Sequence, residues 1–193
     1  MNTNTFATES FLLIPHTVTD LADFCARPEH YLVSVDREGK RAAALWFDRA
    51  TRNPHGSDGL VHLLYHGQQL IPLDLWDEVT GIWLALLDVL EGFLAVGEGN
   101  ETLSGQPAAI AMKGAPRSAT FTANNVSHKI DPAIVVPGIL AGADRYFRWV
   151  HNTIGDGQGE ALARIEGLVR AATETFRSAQ REHRPTCPPQ GVA

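Results

Sequence analysis

The sequence predicts an α+β domain: antiparallel strands in one or more sheets, a long central helix, and two C-terminal helices packed on the sheet. Three observations carry this. Residues 74–96 (DLWDEVTGIWLALLDVLEGFLAV) repeat apolar side chains with the 3.6-residue period of a helix. Short β-compatible runs flank that stretch, and their connections are short enough to favour antiparallel pairing. Residues 160–180 carry another helical period through Leu162, Ile165, Leu168, Val169, Ala172 and Phe176.

A chain of 193 residues suits one domain with a sizeable core. The domain is expected over 10–180, between a polar tail at 1–9 and a Pro-rich tail at 181–193, both disordered. Phe11–Ile14 is a short apolar run stopped by Pro15. Thr17–Ala26 suits a helix capped by Thr17 or Thr19, with Leu21, Phe24 and Cys25 on its apolar side and Pro28 ending it. Cys25 is expected in the core. Tyr31–Arg37 and Arg41–Asp48, joined by a polar turn, predict a hairpin. Thr51–Gly59 is a loop on its Asn-Pro, His-Gly and Asp-Gly pairs. Leu60–His66 alternates as a strand, with Val61, Leu63 and Tyr65 opposite Leu60, His62, Leu64 and His66.

The central helix is expected to start at Asp74, a capping residue, and to be ended by Gly97 and Gly99. A polar loop then runs to Gln106. Ala108–Met112, Ser118–Ala123 and Val126–Ile130 form a meander whose Asn124-Asn125 pair suits a tight turn. Asp131-Pro132 starts a helix running to about Asn152, with a kink or a delayed start near Val136 imposed by Pro137. Residues 154–159 link it to the last helix.

Net charge is −6 with an isoelectric point of about 5.7, which argues against nucleic acid, whose phosphates call for a basic surface. The carboxylates Asp77, Glu78, Asp88 and Glu91 break the longest apolar run short of a membrane span. The N-terminus lacks the pattern of a signal peptide. Two distant cysteines, Cys25 and Cys187, do not make a disulfide framework, so a reducing cytoplasm is expected.

The chemistry-bearing residues form no motif. His62 and His66 lie about 13 Å apart on one side of a strand, too far to share a metal. His55 and His128 are the other histidines that could line a site. The glycine pairs lack phosphate-loop spacing, and no nucleophile elbow is present. Neither catalytic residues, nor a metal, nor a cofactor are therefore expected. What remains is a surface: the helical carboxylates Asp77, Glu78, Asp88 and Glu91, and the loop residues Asn53, His55 and Asp58.

From Trp83 to Val150 the chain runs through WLALLDVLEGFLAVG, GQPAAIAMKG and a helix ending ADRYFRWV, with Gln106-Pro107 and Phe147 after Ala143. This stretch, about a third of the chain, resembles small bacterial proteins, some of them immunity-type partners of secreted toxins. The resemblance implies a non-enzymatic module, monomer or homodimer, that neutralises a toxin by binding it, and a basic toxin suits the acidic surface. The element order is also similar to acidic secretion chaperones, which bind other proteins. An enzyme with a histidine-lined site is the third expectation.

Overall fold

The computed structural model describes residues 5–50 and 57–181. Two antiparallel sheets and five α-helices make up an α+β fold over these residues. The first sheet has the order β2-β1-β3-β4, from β1 (Phe6–Leu13), β2 (Leu32–Ser34), β3 (Asp58–Tyr65) and β4 (Gln68–Gln69). A two-residue strand, β5 (Asp77–Glu78), also pairs with β3. The second sheet is a meander of β6 (Glu98–Thr102), β7 (Ala109–Ala115), β8 (Ser118–Ala123) and β9 (Val126–Ile130). Asn124 and Asn125 turn β8 into β9 with φ of 46° and 64°, the left-handed pair a two-residue hairpin needs.

Helix α3 (Val79–Val96) lies between the sheets and buries nine side chains, among them Ile82, Trp83, Leu86 and Phe93. Against it pack Leu12, Val61 and Leu63 of the first sheet and Ile110, Met112 and Phe121 of the second, in one continuous core. Its 18 residues, with mean hydropathy 1.8, have the length and composition of a membrane span, contrary to the sequence reading. Half of that window is buried inside the protein, and two facing sheets account for the wide apolar surface. Helices α4 (Pro132–Trp149) and α5 (Gly159–Arg181) complete the core, with Val136, Leu140, Ile165 and Phe176 turned inwards.

Residues 31–48 are not a hairpin: β2 is followed by helix α2 (Gly39–Ala50). The Ser34 carbonyl accepts from the Glu38 N–H, the Ser34 hydroxyl accepts from the Arg37 N–H, and the chain turns into an Ala-rich helix. Ala42, Ala43 and Trp46 are its buried side, and Trp46 packs edge-on against Trp149 at 5.9 Å. Strand β1 begins at Phe6, inside the expected tail, because Phe6–Leu12 pairs continuously with Gly59–Tyr65. The central helix starts at Val79, not Asp74; Glu78 is its cap and residues 77–78 belong to β5. Residues 98–102 are a strand on the open edge of β7, and Gly97 (φ 80°) alone ends α3.

Helix α1 (Leu21–Ala26) is shorter than expected and is capped by Asp20. That register turns Phe24 inward and leaves Cys25 exposed, not in the core. Helix α4 runs from its Asp131 cap through Pro137 without a delayed start. The missing N–H costs one ladder bond, which burial of Val135, Val136, Ile139 and Leu140 offsets. A π-helical turn at Val150–Ile154, ended by Gly155 at φ 82°, leads towards α5.

Candidate functional site

Alternation along the first sheet decides what its outer face carries. In β1, Ser10 and Leu12 are buried towards the core, so Glu9, Phe11 and Leu13 take the opposite face. In β3, Val61 and Leu63 point inwards, and Leu60, His62 and Leu64 point outwards. The Leu60 end of this outer face is covered by a small cluster of Phe24 and Leu32 with Tyr31, Leu73 and Trp76. Phe24 meets Trp76 edge-on at 5.3 Å and Tyr31 at 5.6 Å, which fixes the cover.

Beside that cover lies a cleft of about 340 Å³, lined among others by Glu9, Phe11, Arg37, His62, Leu64 and Leu73. Glu9 is its polar centre. One carboxylate oxygen accepts from the Ser34 hydroxyl and from Arg37 Nε, each at 2.5 Å. The Ser34 hydroxyl also accepts from the Arg37 backbone N–H at 3.0 Å, so the turn after β2 delivers both partners together. The Arg37 guanidinium stands 6.0 Å from the centre of the Phe11 ring. His62 faces Glu9 directly across the β1–β3 pairing, and its ring lies 6.4 Å from that of Phe11.

Burial pushes the His62 imidazole below its ordinary pKa, and the Glu9 charge only partly opposes this. The imidazole is therefore neutral at pH 7. Since the folded pKa lies below the unfolded value of about 6.5, the unfolded chain takes up the proton first as pH falls. Stability is expected to be full above about pH 6.5 and to decline below it until the folded pKa is reached. Denaturant midpoints measured from pH 7.5 to 5 will show this decline, and His62→Gln will flatten it. An equal decline in that variant would remove His62 as its source.

The other residues singled out in the sequence do not form one surface. Asp77 is only 8% exposed; its carboxylate accepts from the Glu78 and Gly105 N–H groups at 2.7 Å. Glu78 caps α3, accepting from the Thr80 and Gly81 N–H groups at 3.0 and 2.6 Å. Burial raises its pKa against the pull of those bonds. Both carboxylates hold the start of a helix and are not part of a solvated face. Asp88 and Glu91 are exposed on α3 as expected, but Arg164 of α5 donates to both at 2.5 Å.

Asp58 lies in β3 opposite Glu78, not in a loop. Asn53 and His55 lie outside the described residues. His66 follows β3 with φ 49° and packs on Tyr65; the His128 Nε2 is buried in the second sheet without a hydrogen-bond partner. Among the described residues, no three His, Cys, Asp or Glu side chains converge as metal ligands. Glu9, Ser34 and Arg37 escaped the sequence reading. The alternation Phe6, Thr8, Ser10, Leu12 against Ala7, Glu9, Phe11, Leu13 is the signal that places Glu9.

A larger groove of about 510 Å³ runs between α4 and α5, over Leu140, Val169 and Phe176. The sheet cleft is the better candidate, because Glu9, Ser34 and Arg37 are hydrogen-bonded to one another there beside Phe11 and over an apolar floor. No family model, curated protein or solved structure matches this chain.

Proposed function

We propose that this protein is a non-enzymatic binding module of the immunity type, acting in the cytoplasm on a protein partner through the outer-face cleft. The observation that carries this is the way the polar groups of the cleft are spent on one another. The Ser34 hydroxyl donates a hydrogen bond to Glu9 and accepts one from the Arg37 backbone, while Arg37 donates to the same Glu9 oxygen. A nucleophile needs a base that takes its proton during reaction, with the oxygen facing substrate; Ser34 is 2% exposed and locked in a turn. Paired charges around Phe11, Leu64 and Leu73 instead make a recognition patch with a carboxylate at its centre and an aromatic and an arginine beside it. The net charge of −6 supports steering towards a basic partner. Because Arg164 neutralises much of the Asp88 and Glu91 face, the cleft replaces that face as the first contact.

The test is capture from host lysate with the wild-type chain, with Leu64→Asp in the cleft, and with Val96→Asp, at a site 79% exposed at the end of α3. One stoichiometric, folded partner is expected with the wild type and Val96→Asp, reduced at least about tenfold with Leu64→Asp. Equal capture by all three would move the contact off the cleft, and capture of unfolded segments by a dimer would favour a chaperone. A second reading, a histidine-dependent enzyme, rests on the neutral, half-buried His62 beside Glu9. Turnover lost in His62→Gln while partner capture persists would favour it.

A further inference from the structure

We propose that the outer-face cleft is an arginine-recognition site, and that Arg37, on its rim, is the internal partner of Glu9 that an incoming arginine displaces. The inference rests on the binding reading above and names the chemistry that the partner brings. Arg37 shows what the cleft accepts: a guanidinium held to the Glu9 carboxylate at 2.5 Å and set near the Phe11 ring at 6.0 Å. A planar cation that bonds a carboxylate beside an aromatic ring is a role to which arginine is better suited than lysine.

Arg37 is not built in as a structural cation would be. Its side chain is 70% exposed, and its guanidinium is held by an ion pair at the surface. Rotation of its methylene stem carries the charge into water without unburying core atoms. The backbone N–H of Arg37, which bonds Ser34, stays in place when the side chain leaves.

What remains after that rotation is complementary to a cation. Glu9 and Glu29 are the two carboxylates lining the cleft, and His62, the other ionisable group there, is neutral at pH 7. Leu64 and Leu73 supply apolar surface for the stem of an incoming side chain. An anionic occupant would meet two like charges and is disfavoured. A basic protein partner would thus insert one arginine, exchanging an intramolecular ion pair for an intermolecular one and burying the new stem in the cleft.

The test uses the full chain and N-acetyl-arginine amide, followed by nuclear magnetic resonance at the amides of Glu9, Phe11 and His62. Arg37→Ala is expected to bind this probe about three- to fivefold more tightly than the wild type, since the internal competitor, a surface ion pair, is gone. N-acetyl-citrulline amide, the neutral isostere, is expected not to bind. Glu9→Gln added to Arg37→Ala should abolish binding. Should Glu9→Gln disturb the fold, Phe11→Leu keeps the apolar volume, removes the ring, and should weaken binding severalfold.

Equal affinity of wild type and Arg37→Ala, or equal binding of arginine and citrulline probes, would overturn the proposal. These outcomes are separable from failure of the binding reading. If Leu64→Asp loses the protein partner but no arginine probe binds, only the arginine assignment falls. If the probe binds Arg37→Ala while no protein is captured, the binding reading falls and the cleft remains a guanidinium site.

Discussion

Trp83→Ala is expected to lower the stability of the folded chain by about 3–5 kcal/mol, the range for removing a fully buried large aromatic side chain. Trp83 has no exposed surface and sits on α3 where the first sheet and α4 meet. Its ring lies 6.4 Å from that of Tyr146 at 30°, and its indole N–H donates to the Ser10 hydroxyl at 3.0 Å. Truncation removes the apolar contact and leaves a void between layers that cannot close without moving β1. It also strands the Ser10 hydroxyl, which is 2% exposed. Guanidinium denaturation of both proteins will measure the loss, with Trp83→Phe expected to fall between them because the ring is kept and the donor is not. A loss below about 1.5 kcal/mol would mean that the site collapses on itself, against the close packing around Trp83. Because Ser10 adjoins Glu9 on β1, the same variant should weaken whatever the cleft binds.

Gly59→Ala is expected to cost about 3 kcal/mol, near the upper end for overpacking a core. A Cβ at this position would stand 1.9 Å from the Phe11 carbonyl oxygen and 2.7 Å from Val79 Cγ2. The oxygen belongs to the backbone of β1 and cannot swing aside, so relief requires β1 and β3 to part. Gly59 faces Leu12 on one side and Asp77 on the other, which places three strands within reach of the clash. The control is Gly157→Ala, where a new Cβ meets nothing within 4 Å. A thermal melt that shows the two variants equally stable would contradict the strand spacing at Gly59. Since Phe11 borders the cleft, Gly59→Ala should also disturb the cleft in its folded fraction.

The α+β class and much of the element order were legible in the residues, because the signals there are local. The 3.6-residue period of α3, the αL stop at Gly97, the Asn124-Asn125 turn and the Asp131-Pro132 start act through sterics and hydrogen bonds within a few residues. The second sheet shows where this runs out. Strands β7–β9 are legible as short runs set apart by turn residues such as Asn124-Asn125, whereas Glu98–Thr102 is polar and becomes a strand only because the edge of β7 offers it a ladder. Residues 39–50 fit either period over so short a span, and what selects the helix is burial of Ala42, Ala43 and Trp46 against partners distant in sequence.

The candidate site lay beyond local reasoning for the same cause. Asp88 and Glu91 were correctly placed on one exposed helix face, but their counter-ion, Arg164, is more than 70 residues away and meets them only when α5 docks on α3. Glu9 belongs to a segment read as a tail, and Ser34 and Arg37 lie 25 and 28 residues from it. His62 reaches the same cleft only through the β1–β3 register. By itself the sequence determined which stretches are helical or extended where period and capping agree, and that the surface is acidic. Tertiary pairing decided which charges are spent inside the fold and which face the cleft, because a carboxylate's role depends on the partner that folding brings to it, whatever its own spacing in the chain.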